Sequence, residues 1–309
     1  LIATQAKATV PAIVSAAAPH MAGVIVSELC TTPSHNGNNI PVGQFLANHH
    51  IPVLTGVDTR ALVKAIRRHG TVQAVLAQGS PHHDLAVPVE PAQPFSSSYW
   101  VEKVSTAKWR TYGDGGPHVV IVDLGLKPSI LRLFLEEGFK VTVVPHSASF
   151  EEIRSLKPDG VVYSNGPGDP VALSPWLEEI RQVAVAYPTL GIGLGHQVIA
   201  LAFGAKTAKL KLGHRGSNHP VKETATGKVL ITTQNHGFGV LAESVDSSQF
   251  EIAYRHVQDG SVEGLRHRKL PLFTIQFVPE PYGDLQQSAP FLEPFLNQVR
   301  KGGRAYAFA

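Results

Sequence analysis

The sequence predicts an α/β protein: a mostly parallel, twisted sheet with helices on both faces, preceded by a smaller α/β domain. Three observations carry that expectation. From residue 118 onward, apolar strands alternate with helical segments, the pattern of strand–helix–strand units wound into a parallel sheet. The first of those strands, His118-Val-Val-Ile-Val-Asp-Leu124, is apolar with no in–out alternation, as a strand buried on both faces requires. Glycine-bearing loops fall at several strand ends, where such sheets place their ligands.

Bulk composition sets the bounds. With 309 residues, 43% of them hydrophobic, the chain can bury a sizeable core, and its length suits two domains. A net charge of +3 and 17% charged residues, without a dense basic block, argue against a nucleic-acid partner. The single cysteine, Cys30, excludes an internal disulfide framework and fits a reducing compartment. No apolar run approaches the roughly 20 residues that cross a bilayer. The Ala-rich stretch Val10 to Ala18 faintly resembles a signal-peptide core, but only Lys7 precedes it as a basic residue. A cytoplasmic location without membrane contact is expected. Starting on Leu1, the chain reads as N-terminally truncated.

The elements follow in order. Ala22 to Glu28 reads as a strand, Val42 to Asn48 as a short helix and Ile51 to Gly56 as another strand. Asp58 caps a helix whose Leu62, Val63 and Ile66 share one face and which Gly70 ends. Thr71 to Leu76 closes this domain as a strand, giving a first domain over 1–82. Residues 83–117, rich in Pro, Ser, His and Gly, read as a surface linker. The second domain, 118–309, continues with helix Ser129 to Glu137, strand Val141 to Pro145, helix Phe150 to Leu156, strand Gly160 to Ser164 and helix Pro175 to Ala186. Shorter strands follow at Val229 to Thr233, Glu251 to His256 and Leu272 to Val278, with a last helix from Ala289 to Lys301.

The chemistry concentrates at Pro188-Thr-Leu-Gly-Ile-Gly-Leu-Gly-His-Gln-Val-Ile-Ala200, a strand, a glycine-flanked bend and a helix. Such an elbow presents one reactive side chain beside a helix N-terminus, whose free N–H groups stabilise an anion. At the bend stands Gly193, which has no side chain. Two further loops, Ser164-Asn-Gly-Pro-Gly-Asp-Pro170 and Gln234-Asn-His-Gly-Phe238, also lie at strand ends, and Gln276-Phe-Val-Pro-Glu280 ends a late strand.

These loops, in this order and spacing, resemble the class I (triad-type) glutamine amidotransferases. More narrowly, Ala205-Lys-Thr-Ala-Lys-Leu-Lys-Leu-Gly-His-Arg-Gly-Ser-Asn-His-Pro-Val221, followed by Gln234-Asn-His-Gly-Phe238, is similar to the small-subunit family of carbamoyl-phosphate synthetase. Val57-Asp-Thr-Arg-Ala-Leu62 supports this from the first domain, and the likeness runs from about Met21 to Lys301. The resemblance implies a cysteine that attacks the amide of L-glutamine, a histidine base and an orienting glutamate. It further implies ammonia channelled to a large ATP-using subunit, in pyrimidine and arginine biosynthesis, with no cofactor in this subunit. By that likeness the nucleophile position falls on Gly193 and the base position on Val278, both inert, while the glutamate survives as Glu280. Gly166, Gly168, Leu194, Gln197, Asn235, Gly237 and Phe238 would surround glutamine. Residues 1–20 do not read like the family's opening strands, so the first domain is expected to be incomplete. A thiolate and a proton acceptor are both indispensable to thioester chemistry, so glutaminase activity is expected to be lost or severely impaired. The alternatives are a non-catalytic glutamine-binding or scaffolding protein and a decaying paralogue. Two changed positions argue for natural drift or repurposing over a single engineered knock-out.

Other candidates read blandly. Glu280 alone suits an ordinary strand-end carboxylate. His236 matches a structural position of the family and is not expected to replace the base. His214, His219 and the pairs His49-His50 and His82-His83 lack ligand spacing with Cys or carboxylates, so solvated histidines and no metal are expected. Cys30 is expected to be a bystander thiol. Gly191-Ile-Gly-Leu-Gly195 is not a dinucleotide loop, since its third glycine is misplaced and no acidic residue follows about twenty positions on.

Overall fold

The computed structural model describes residues 2–3, 9–11, 21–32, 39–70, 76, 98–279 and 289–302. The chain divides into two compact units, Leu1–Ala92 and Gln93–Ala309.

The first unit holds strands β1 (Ile2–Ala3), β2 (Thr9–Pro11), β3 (Val24–Val26) and β4 (Asn39–Pro41), helix α1 (Val42–Asn48), strand β5 (Val53–Leu54) and helix α2 (Thr59–His69). A parallel sheet of order β1-β3-β5 and an antiparallel β2-β4 pair result. Residues 1–20, expected to offer no counterpart to opening strands, thus supply two short ones. They carry no apolar alternation, and three residues or fewer are too short for a periodic signal. Helix α2 forms as its sequence dictates. The Asp58 carboxylate accepts the Ala61 N–H at 2.9 Å, and Gly70 leaves the helix at φ 79°. Such a cap is worth about 1 kcal/mol. Val24, Val26, Leu46 and Ile51 form this unit's small core. The strand expected over Thr71 to Leu76 lies, except for Leu76, outside the described residues.

The second unit begins within the stretch expected to be a linker. Helix α3 (Ser98–Val104) and strand β6 (Arg110–Tyr112) form there, and β6 closes one sheet edge. Then come β7 (His118–Asp123), α4 (Pro128–Glu136), β8 (Lys140–Pro145), α5 (Phe150–Ser155) and β9 (Gly160–Tyr163). A 3-10 turn over Pro170–Trp176 precedes α6 (Leu177–Ala186), β10 (Thr189–Ile192) and α7 (Leu194–Ala202). Strands β11 (Thr207–Glu223), β12 (Val229–Val240), β13 (Phe250–His256), β14 (Val262–His267) and β15 (Leu272–Ile275) lead to α8 (Ala289–Arg300). Pro175 lies in the 3-10 turn, so α6 starts two residues later than its proline suggests.

One ten-stranded sheet, of order β12-β11-β13-β14-β15-β10-β9-β7-β8-β6, joins them. Its centre, β15-β10-β9-β7-β8, is parallel. The β6 edge and the β12-β11-β13-β14 wing are antiparallel, so an antiparallel wing and edge extend the parallel centre. Alternate residues of β7 feed two cores. Val119 and Ile121 pack with Ile130 and Phe134 of α4 and with Phe295 and Val299 of α8. Val120 and Val122 pack with Ile153 of α5, Val183 of α6 and Val198 of α7. Helices therefore cover both faces, which is why β7 reads as continuously apolar. A reciprocal capping box of Ser149 and Glu152 starts α5.

Candidate functional site

The elbow sits at the carboxyl end of β10, between β9 and β15. Its three glycines differ in physical necessity. A Cβ on Gly195 would lie 2.1 Å from the Tyr163 carbonyl oxygen, and one on Gly191 would lie 2.7 Å from the Gly195 carbonyl oxygen. Helix and strands approach so closely that neither position admits a side chain. Gly193 is different. Its nearest would-be neighbours are the Asn165 Cβ at 3.3 Å, the Asn165 Cα at 3.5 Å and the Gln276 carbonyl oxygen at 3.8 Å. Its backbone, φ 59° and ψ −109°, is strained for any L side chain. Space for a side chain exists at the bend, held in the contorted backbone of a nucleophile elbow.

Hydrogen bonds fix the bend from both sides. The Gly193 N–H donates to Ile275 O at 2.8 Å and the Gly195 N–H to Ser164 O at 3.1 Å. The 164–168 loop is itself pinned. Ser164 Oγ accepts from the Leu124 N–H at 2.9 Å, and the Asn165 amide donates to Gly125 O at 2.9 Å. A Cβ on Gly166 would strike Leu124 O at 2.1 Å, and the Leu194 side chain would lie 2.9 Å from it. Gly166, Leu194 and the bend are thus brought together, with Gly168 at φ 101° in the same loop.

Gln197, on α7, donates its amide to Phe238 O and to Gln276 Oε1, both at 2.8 Å. It is buried, and its nitrogen is committed to the protein. It clamps the elbow helix to β12 and to the segment after β15. Asn235 and Gly237 lie on β12 beside Phe238, and Asn235 is exposed and registered opposite Arg215 of β11. Val278 is half-buried and donates its N–H to Thr233 O at 3.0 Å. It stands two residues beyond Gln276, whose carbonyl faces the bend. Glu280 lies outside the described residues.

His196, next to the bend, is fully buried and its Nδ1 meets Thr274 Oγ1 at 2.8 Å. Burial, with the nearby His236 adding to it, drives its pKa down to about 3. It stays neutral and sealed from solvent.

Of the histidines expected to be solvated, His50 is exposed and His49 and His219 are half-buried, but His214 is buried; His82 and His83 lie outside the described residues. His214 and His236 are directly opposed across the β11-β12 ladder, and His214 stacks on His256 at 4.1 Å between ring centroids. His214 and His256 are buried, as is Glu263 of β14. His214 Nδ1 lies 3.2 Å from His236 Nε2 and 3.3 Å from Glu263 Oε1, while its Nε2 lies 2.8 Å from Asp259 Oδ2. Burial works to lower the His214 pKa, but hydrogen bonds to Glu263 and Asp259 and their charges outweigh it and hold the pKa above the ordinary value. Burial pushes His236 down to about 4. Two overlapping groups could hold a metal ion: His214, His236 and Glu263, and His214, His256 and Asp259. Sequence reasoning missed them because the donors come from four strands and the loop after β13. Spacing along the chain carries no trace of that convergence. Cys30 is half-buried in the first unit, its thiol donating to Thr32 O at 3.2 Å.

The parallel sheet with a strained strand–bend–helix elbow, faced by a glycine loop and an antiparallel wing, is the architecture of a triad-type amidotransferase. A family model for class I glutamine amidotransferases matches residues 120–297. A second, for the carbamoyl-phosphate synthase small chain, matches residues 6–76, reaching into the stretch where no likeness was expected. The chain is 42% identical over 292 residues to the arginine-specific small chain of carbamoyl phosphate synthase from Halalkalibacterium halodurans, covering 94% of this chain and 80% of that one. It is 43% identical over 289 residues to its counterpart in Geobacillus stearothermophilus, covering 94% and 79%. Among solved structures, a Thermoplasma acidophilum protein described as a GMP synthase subunit shares the fold of the second unit, with TM-score 0.53, 23% identity and coverage of 61% of this chain and 96% of that one. The chain belongs to the carbamoyl-phosphate synthase small chain family. Among the described residues, no helix is long and apolar enough to cross a membrane.

Proposed function

We propose that this chain keeps the scaffold of the family's glutamine amidotransferase subunit but does not itself hydrolyse glutamine. The observation that carries the reading is Gly193, a glycine at a bend whose φ of 59° disfavours side chains yet which has room for one. With only hydrogen there, no thiolate can attack the amide carbon, and Val278 offers a hydrocarbon in place of a proton acceptor. Loss of either member removes most of the rate and loss of both adds little more. The relatives named as small chains support a role beside a large synthase subunit, which would then depend on free ammonia. Co-purification with such a large chain, assayed separately with glutamine and with ammonium, tests this. Synthesis supported by ammonium alone is expected. Steady-state glutamine hydrolysis at a normal synthetase rate, or a covalent glutamyl adduct found by mass spectrometry, would overturn it.

A second reading, of a glutamine-binding protein without turnover, is favoured by the intact loop geometry around Gly166 and Leu194. Calorimetry showing glutamine binding in the absence of hydrolysis would select it.

A further inference from the structure

The cluster on the antiparallel wing crowds lone-pair groups together in a buried place, an arrangement that a metal ion would relieve. The His236 Nδ1 lies 2.7 Å from the Phe238 carbonyl oxygen. A carbonyl can only accept, so His236 carries its proton on Nδ1 and turns a bare lone pair at Nε2 toward His214. The Asp259 carboxylate meets His214 Nε2 at 2.8 Å and favours a proton on that nitrogen. The neutral His214 ring then presents a second lone pair, at Nδ1. Glu263 Oε1 is a third acceptor, from a side chain with no solvent exposure. Three acceptors therefore converge on one point.

We infer that His214 Nδ1, His236 Nε2 and Glu263 Oε1 bind one zinc ion. Their mutual separations are 3.2, 3.3 and 3.9 Å. Ligands bonded at about 2.0–2.1 Å in a tetrahedron stand about 3.3–3.4 Å apart, so small side-chain shifts complete the geometry. Two imidazoles and one carboxylate form a donor set that zinc accepts, with water in the fourth position. The surrounding groups match what orients metal ligands. Each ligating imidazole donates its other N–H, His214 to a carboxylate and His236 to a backbone carbonyl. The Gln234 amide nitrogen holds Glu263 Oε2 at 2.6 Å. The other end of that buried amide, Gln234 Oε1, has no hydrogen-bond partner among the described residues, and a metal-bound water is a donor suited to it. The ion would tie β11, β12 and β14 together and so fix the Asn235 to Phe238 segment that faces Gln197. The competing solution is a proton on His214 Nδ1, making an imidazolium between two carboxylates.

Titration of the chelator-stripped full chain with Zn2+ by calorimetry, and with Co2+ by visible absorption, separates the two. Expected are one equivalent bound, a tetrahedral Co2+ spectrum and a raised melting temperature with zinc. Glu263→Gln should abolish the spectrum. Asp259→Asn alters a half-exposed side chain and leaves the ligands in place, so it folds where a core variant fails; it should weaken binding by about 10–100-fold. Absence of stoichiometric uptake would overturn the site and leave the imidazolium. Uptake unchanged in both Glu263→Gln and Asp259→Asn would overturn it equally, placing the ion on other histidines such as His49 and His50.

Discussion

Gly193→Cys should lower the stability of the amidotransferase unit even though it supplies the nucleophile that the resemblance implies at this position. The cost follows from the backbone. Holding a non-glycine residue at φ 59°, ψ −109° costs about 1–3 kcal/mol. Restricting the unfolded chain by removing a glycine returns about 0.4–1 kcal/mol. The contact at 3.3 Å with Asn165 Cβ requires that neighbour to give only a few tenths of an ångström and adds little. The net expectation is about 1.3 kcal/mol of destabilisation, and at about 2–4 °C per kcal/mol for a unit of this size, a fall of about 3–5 °C. Gly193→Ala should fall by a similar amount, because the backbone and not the thiol sets the cost. Gly195→Ala is the contrasting control. Its Cβ would sit 2.1 Å from the Tyr163 carbonyl oxygen, an overlap of backbone with backbone that no rotamer relieves, so it should be much the worse. Thermal unfolding followed by calorimetry reads all three. A Gly193→Cys protein that melts as high as the parent or higher would refute the strain argument.

Three further outcomes are expected. Gly193→Cys combined with Val278→His should hydrolyse glutamine at least about 100-fold faster than Gly193→Cys alone, since a positioned general base contributes about 100- to 10,000-fold; equal rates would mean that the position of Val278 cannot serve the bend. Gln197→Ala strips hydrogen bonds from Phe238 O and Gln276 Oε1, and at about 1–3 kcal/mol for a buried group left unsatisfied it should cost at least 1 kcal/mol in urea unfolding, with a loss under about 0.5 kcal/mol counting against the clamp. His196 is neutral in the fold with a pKa near 3, whereas unfolded histidine titrates near 6.5. Between those values the unfolded chain binds the extra proton, so stability falls as pH drops below 6.5, by up to about 1.4 kcal/mol per pH unit. His196→Gln should flatten that slope by one proton, and an unchanged slope would exclude His196 as its source.

Much of the fold was legible because its signals are local. The capping Asp58 and stopping Gly70 of α2, the apolar run of β7 and the glycine-flanked bend at 191–195 each act over a few residues, and each formed where expected. Helix α3 and strand β6 lie in a stretch whose composition predicts a linker, because their few residues carry no periodicity; tertiary pairing with β8 makes β6 a strand. The 17-residue β11 carries a motif in its sequence but no strand signal. Its polar, histidine-bearing sequence has register shifts at Lys209/His214 and Gly216/His219 that erase alternation.

The sequence alone determined the family, the order of strands and helices in the parallel core, and the absence of a sulphur at the elbow. Those properties reside in single residues or in neighbours along the chain. Only the tertiary structure decided that Gly191 and Gly195 are forced by backbone approach while Gly193 is not, that Gln197 spends its amide on the protein, and that four strands and a loop deliver three histidines and two carboxylates to one spot. Apart from Gly191, which is obstructed by Gly195 only four residues on, those facts depend mostly on distances between residues about 20 to 80 positions apart, and such distances are set by how the sheet pairs.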